Sequence, residues 1–453
     1  MKKIGNLKIH SSSEIKKSRV SIGFECMDRD VIKWEPCIEP LGQTGAKYAR
    51  VQTGWIKCEK TKGVYNFKWL DDIVDALMSK GIIVWFDVSY GNPIYMDDIS
   101  TPSAVGCVPT LYGEETEQAW KNYVKALCEH YRDRVKLYEI WNEPNIPQFW
   151  YPKKPDAKEF SKLYKLTADI IKNTIPDARI GCNIAFFSEN FTYERTFFEN
   201  ITPDEIDFFG YHAYKIVPEN MYCERVGSFK RWLDENGFYE VQIWQGEAGY
   251  PSWAPKGHWL INEGTDAERP QAVWLLRRFF NDFKVGTTLS SFFQIADMWE
   301  KPYETASGAQ QKCAGHGILH GLTYEKKESF RTFSIIANIM SGELELSDEC
   351  FVVEADGVSQ ASAEFEYSRW SANNPIEKIT FVRNGHKLYE FHAIVNVAQE
   401  YHFDAKITLP YSLKNPVLLD CYTGEIFEIE ELNHIDLTEY PKIICEREAL
   451  EIV

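Results

Sequence analysis

Arg19-Val-Ser-Ile-Gly-Phe-Glu-Cys-Met-Asp28 is the stretch on which the fold turns. Its first half is a short apolar run that reads as a β-strand over 19–25. In a doubly wound open sheet, the turn after the first strand carries a Gly-rich fingerprint that cradles a phosphate. Gly23-Phe24-Glu25-Cys26-Met27-Asp28 is not such a turn. The competing α/β architecture is a closed barrel, and the chain that follows supplies the units a barrel needs.

Strand-like runs recur at 19–25, 46–53, 82–89, 135–141, 179–184, 206–211, 241–245 and 289–294. Most are apolar without strict alternation, as parallel strands buried on both faces should be. Helical periodicity lies between them, at 69–80, 115–133, 156–175, 219–236, 267–284 and 328–341. In the first of these Leu70, Ile73, Val74 and Leu77 share one face and Gly81 ends the run. Residues 31–45 read as a loop with a short helical turn. Eight β-then-α units predict a (β/α)8 TIM barrel over 18–343. After Gly342 the pattern changes to short β-rich stretches at 349–355, 377–383, 388–397, 404–409, 416–421, 425–430 and 442–447. Asn384-Gly385 and Thr423-Gly424 sit between apolar runs as hairpin turns, and no helical period is visible. Residues 344–453 therefore read as a C-terminal antiparallel β-sandwich. The N-terminal segment 1–17, with Ile4, Leu7 and Ile9 alternating, offers it one more strand.

Composition bounds the function. The chain has 453 residues, 44% hydrophobic and 26% charged, which is ordinary for a globular protein. Its net charge is −17, of which −13 falls in residues 344–453 and −4 in the rest. An acidic chain without a basic stripe is no candidate for nucleic acid. No apolar run reaches the length of a membrane span. The start, Met-Lys-Lys-Ile-Gly-Asn-Leu-Lys, lacks the apolar region of a secretory leader. The 11 cysteines are odd in number and without a CxxC pair, which reads as free thiols in a reducing compartment. The expected location is the cytoplasm, and the sequons at Asn190 and Asn200 read as chance matches. Oligomeric state is left open.

Active sites of such barrels gather at the C-terminal strand ends. Arg50 and Gln52 end strand two, Asp87 and Tyr90 strand three, Asn142 and Glu143 strand four, and His212 and Tyr214 strand six. Gln245 and Glu247 end strand seven, and Gln294 leads from strand eight to Trp299. Glu143 and Glu247 stand 104 residues apart, at strands that face each other across the mouth. Two carboxylates straddling a glycosidic bond at about 5–5.5 Å suit a retaining glycosidase. Glu300 and Asp87 are their nearest competitors. Trp55, Trp150, Trp253 and Trp259 fall in strand-end loops and are candidate subsite walls. HExxH, GxSxG and Walker motifs are absent from the sequence, and the histidines are dispersed. The chemistry expected of two carboxylates needs neither metal nor cofactor.

Trp141-Asn142-Glu143-Pro144 resembles the acid/base signature of the (β/α)8 glycoside hydrolase clan that carries its catalytic glutamates on strands four and seven. Within that clan the chain most resembles glycoside hydrolase family 39, the β-xylosidase and α-L-iduronidase family. The stretches that carry this are Lys47-Tyr-Ala-Arg50-Val, Gly63-Val-Tyr-Asn-Phe-Lys-Trp-Leu-Asp-Asp-Ile73 and Leu437-Thr-Glu-Tyr-Pro441. The resemblance implies Glu143 as general acid/base and Glu247 as nucleophile, held ionised by Arg50. It implies Asn142 on the sugar 2-hydroxyl, His212 and Tyr214 flanking the pair, and Trp299 stacked under the sugar. Asp87 joins the substrate-binding candidates. Tyr90-Gly-Asn-Pro93 and the loop after strand one depart from the xylosidase pattern, so the sugar stays open. The expectation is a retaining exo-glycosidase acting on short oligosaccharides or glycosides. The alternatives are an endo-acting β-glycanase and an inactive carbohydrate-binding barrel.

Overall fold

A computed structural model describes residues 1–97, 99, 104–220, 222–298, 303–311, 314–364 and 375–453. Eight parallel strands close into a barrel: β1 (Val20–Gly23), β2 (Tyr48–Gln52), β3 (Ile83–Val88), β4 (Leu137–Ile140), β5 (Arg179–Ile184), β6 (Phe208–His212), β7 (Gln242–Ala248) and β8 (Leu289–Phe292). Each pairs with its chain neighbours, and β8 closes onto β1 through Ser290–Val20 to Phe292–Ile22. The expected TIM barrel with a C-terminal sandwich is the architecture found.

The barrel interior is layered as the two-residue strand period requires. Tyr48, Trp85, Leu137, Phe208, Trp244 and Leu289 pack into one apolar floor at the strand starts. Phe208 and Trp244 stack with ring centroids 3.7 Å apart, and Trp85 meets Trp244 edge-on at 5.4 Å. Two residues further along the same strands come Arg50, Asp87 and Glu139, all buried. The floor is apolar and closely packed, and the layer above it is ionic.

Helices cover the outside where periodicity places them, at Lys68–Ser79, Glu114–Tyr131, Ala157–Thr174, Tyr222–Glu235, Glu268–Lys284 and Glu328–Ile339. Asp156 caps the third by accepting from the backbone of Lys158 and Glu159. The structure corrects the reading in three places. Residues 31–45 hold a full helix, Glu35–Gly42, whose internal Pro40 and short length hid its period. A seven-residue helix, Thr192–Phe198, follows β5; its entry runs through Asn190 and Phe191 in the left-handed region. A short helix, Val358–Ala363, lies within the predominantly β C-terminal region.

The C-terminal region supplies six strands of a seven-stranded sheet and all of a three-stranded sheet. Lys2–Asn6 pairs antiparallel with Glu425–Glu428 at the edge of the larger sheet. Asn384-Gly385 turns between Ile376–Arg383 and His386–Ala393 with both residues at positive φ, as a two-residue hairpin loop needs. His386–Ala393 is buried on both faces. Tyr389 and Phe391 pack between the sheets, while Leu388 joins the barrel's core. The larger sheet also packs on the barrel through Phe381, 5.5 Å from Phe283 of helix Glu268–Lys284. No helix among the described residues is long and apolar enough to cross a membrane.

Candidate active site

The site is built upward from Arg50. Its guanidinium lies above the floor, with Trp85 5.5 Å beneath it. Nε donates to Glu139 Oε2 at 2.8 Å, with Nη2 2.6 Å from the same oxygen, and Nη2 donates to Asn142 Oδ1 at 2.9 Å. Nη1 is shared: Glu25 Oε1 and Glu247 Oε2 each lie 3.0 Å from it. Asp87 is 3.4 Å from Nη2 and accepts from Gln52 Nε2 at 3.0 Å. One cation thus faces Glu25, Asp87, Glu139 and Glu247. Burial pushes the Glu25 carboxyl up to about 8, Glu139 up to about 7 and Asp87 upward, each against the pull of Arg50. The single guanidinium faces three fully buried carboxyl groups and the half-buried Glu247, and burial favours the protonated form of the first three.

Glu247 closes the cluster from β7. Arg50 holds Oε2, and the Tyr214 hydroxyl donates to Oε1 at 2.6 Å. Burial and then the charge of Glu247 push the Tyr214 phenol well up, so it stays a donor. Glu143 stands opposite, after β4. The chain there passes through Trp141 at φ 68° and Glu143 at φ 48°, the left-handed region that non-glycine residues avoid. Asn183 of β5 holds this conformation from both sides, accepting from Glu143 N at 2.8 Å and donating to Trp141 O at 2.9 Å. His212 Nδ1 lies 2.6 Å from Glu143 Oε1 and 3.7 Å from Glu247 Oε2. Burial pushes His212 down to about 3, so the ring is neutral. Nε2 has no partner among the described residues, which favours the tautomer with the proton on Nδ1, donating to Glu143.

Burial pushes the Glu143 carboxyl up to about 8; Arg50 opposes this and Asp87 adds to it. At neutral pH it is an acid. Desolvation is the largest cause. Glu143, His212 and Glu247 each present one atom within 4.8 Å of the others. Such a trio could ligate a metal ion, but the guanidinium 3.0 Å from Glu247 already places a fixed positive charge there. The arrangement suits a protonated carboxyl and a carboxylate facing one bond.

The pair opens into a cavity of about 680 Å³. Glu25, Gln52, Asn142, Glu143, His212, Tyr214 and Glu247 are in its wall. Arg50 and Asp87 are not; they sit behind it. Asn142 accepts from Arg50 through Oδ1 and stands in the cavity wall. Trp299 and the competing Glu300 lie outside the described residues. Of the four candidate tryptophans, Trp55 and Trp150 are core and Trp253 is away from the wall, while Trp259 lines it. Glu25, Glu139 and Asn183 did not stand out in the sequence. Glu139 and Asn183 carried a signal, each a polar residue inside an apolar strand, where only a buried partner makes it tolerable. Glu25 also carried one, as the last residue of the strand expected over 19–25; its carboxylate folds back into the space left by Gly23, where a Cβ would come within 2.1 Å of Oε2.

Residues 49–256 match the family model of glycosyl hydrolases family 39, a span that includes both Glu143 and Glu247. A β-xylosidase from Geobacillus stearothermophilus is 27% identical over 136 residues, 26% of this chain and 24% of the relative. A β-xylosidase from Caldicellulosiruptor saccharolyticus is 23% identical over 154 residues, 31% of this chain and 30% of the relative. The chain thus spans under a third of the length of these curated relatives. A solved family 39 glycoside hydrolase from the gut symbiont Bacteroides cellulosilyticus WH2 superposes with a TM-score of 0.66 at 16% identity, over 97% of this chain and 82% of the other. A family 39 β-xylosidase from Caulobacter crescentus gives 0.60 at 16% identity, over 98% of both chains. At that identity the superpositions carry the fold. Together with the match over 49–256 they bear out the resemblance to family 39.

Proposed function

We propose that this family 39-like chain is a retaining exo-glycosidase acting on short β-glycosides, with β-xylosides as the first substrates to test. The observation that carries the reading is the approach of Glu143 and Glu247 to within 4.8 Å, atom to atom. An oxygen contact within that bound lets both carboxyl groups flank one bond and is compatible with the roughly 5–5.5 Å carboxyl spacing of retaining pairs.

Glu247, oriented by Arg50 and Tyr214, attacks the anomeric carbon. Glu143, protonated because it is buried, gives its proton to the departing oxygen. The glycosyl ester on Glu247 forms as the glycosidic bond breaks. Glu143, now a carboxylate, takes a proton from water, and the attack of that water returns Glu247 to a carboxylate. Asn142 donates toward the 2-hydroxyl of the bound sugar, and His212 holds the acid in line. The β-xyloside reading draws on the curated relatives, and the exo reading on a cavity whose volume suits a short saccharide.

Glu247→Ala tests the assignment of the nucleophile. Hydrolysis of nitrophenyl β-xyloside is expected to fall by several orders of magnitude, on the order of 10⁴-fold or more. Azide should restore turnover and yield a glycosyl azide of inverted configuration. A variant that azide does not restore, or an azide product of retained configuration, rules Glu247 out as nucleophile.

A further inference from the structure

Two large aromatic side chains stand in water at the cavity rim. Phe186, after β5, is 58% exposed and Trp259, after β7, is 65% exposed, and both line the cavity that holds Glu143. The other described phenylalanines of the barrel are buried or, at Phe187 and Phe293, half-buried, so an exposed one beside the reacting pair needs a reason.

The backbone holds Phe186 in place. Asn145, two residues past Glu143, accepts from Ala185 N at 2.8 Å and donates to Phe186 O at 2.9 Å. From the other side Arg225 donates to Phe187 O at 3.1 Å and to Ser188 O at 2.6 Å. The phenyl ring is therefore carried on the same rigid loop pair as Glu143, with Ile146 of that loop also in the cavity wall. Trp259 belongs to the other side: it meets Tyr214 edge-on at 5.1 Å, and Tyr214 binds Glu247.

A general acid stands beside the oxygen of the leaving group, so the aglycone lies on the acid's side of the scissile bond. We infer that Phe186, positioned by Asn145, is the platform on which the ring of the leaving group packs, with Trp259 at the facing side of the mouth. The ligand class is a ring with a flat apolar face, either an aryl aglycone or the C–H face of a second pyranose. The inference rests on the retaining-glycosidase reading and adds to it the chemistry of the leaving group.

Three substrates separate the cases: β-xylosyl fluoride, whose leaving group has no ring, nitrophenyl β-xyloside, and xylobiose. Each ring substrate is scored as the ratio of its kcat/KM to that of the fluoride, which cancels any loss of folded enzyme. Phe186→Ala is expected to lower the ratio about fivefold to tenfold, the scale of one aromatic contact. Asn145→Ala should lower it in the same direction. A fall for both ring substrates assigns the platform to either kind of ring, and a fall for one assigns it to that ring. Ratios that hold within about twofold for both ring substrates overturn the inference and leave the glycosidase reading standing. If the unaltered protein hydrolyses none of the three, the β-xyloside reading fails and the platform, as argued for a xyloside leaving group, with it.

Discussion

Glu143 meets two demands through one environment. As the proposed general acid it must hold a proton at neutral pH and release it within one bond-breaking event. Burial supplies the first by raising the carboxyl to about 8, and the short contact with a neutral His212 fixes its direction. The protonated form is the active one, so kcat/KM on glycosides with poor leaving groups should fall as pH rises through about 8. With a dinitrophenyl leaving group, which departs without help, this alkaline limb should disappear. An identical limb on both substrates would assign the titration to another group. The two glutamates were legible in the sequence because each ends a predicted strand in a distinctive local pattern. Arg50 was legible as a strand-end cation, but the reach of its network was not. Glu139 carried the mark of a polar residue inside an apolar strand, but the face it takes emerges only when the strand is counted by twos from an inward floor residue, Leu137. That count needs the barrel's interior face to be known first.

At the scale of elements, the acid's loop is held by a neighbouring strand. Asn183 of β5 makes two hydrogen bonds across to Trp141 and Glu143, both in the left-handed region. Each such residue costs roughly 1–2 kcal/mol, and each hydrogen bond returns about 1 kcal/mol. Asn183→Ala should therefore lower stability by about 2 kcal/mol. It should lower kcat by about tenfold or more, because the carboxyl is no longer aimed. Thermal melting and steady-state kinetics check the two parts. A melting temperature that falls with kcat unchanged would show that the loop keeps its shape without Asn183. Element positions were well legible wherever β-branched runs and helical periods are long. They failed where Pro40 interrupts Glu35–Gly42 and where Thr192–Phe198 spans only two turns. Neither segment offers enough repeats to define a period.

At the scale of the molecule, the sandwich is wired to the loop that follows β6. Arg277 of helix Glu268–Lys284 binds Glu219 through Nε at 2.8 Å and Nη2 at 2.6 Å, and donates to Val395 O at 2.8 Å. His392 of the sandwich reaches the same Glu219 through Nε2 at 3.1 Å and Glu390 through Nδ1 at 2.7 Å. All four side chains are fully buried. Glu219 lies five residues past Tyr214, and Trp274 of the same helix donates to Lys215 O at 2.7 Å, so the interface braces the loop that carries Tyr214. Burial alone would lower the His392 pKa, but Glu390 and Glu219 overcome it and hold the ring at about 9. The folded value exceeds the unfolded one of about 6.5. The charged ring thus adds stability that is complete below pH 6.5 and lost as pH rises to about 9. His392→Gln should flatten the decline in melting temperature over that window. It should also destabilise the protein by about 3 kcal/mol by leaving Glu219 and Glu390 short of a partner. A variant that melts as the parent does at every pH would remove His392 from the interface's energetics. The sequence placed the larger part of the net charge on the sandwich, but no local pattern joins Glu219, Arg277 and His392. Tertiary packing alone brings them together.

The claim on which the rest depends is that Glu247 forms a covalent bond to the sugar. Incubation with 2-deoxy-2-fluoro-β-xylosyl fluoride slows both steps but spares the first when its leaving group is good, so the ester should accumulate. Peptide mass spectrometry is predicted to find one fluoroxylosyl adduct per chain, on Glu247 in the segment Ile243-Trp-Gln-Gly-Glu-Ala-Gly249. An adduct on any other residue, or steady hydrolysis of an active enzyme without an adduct, would contradict the account.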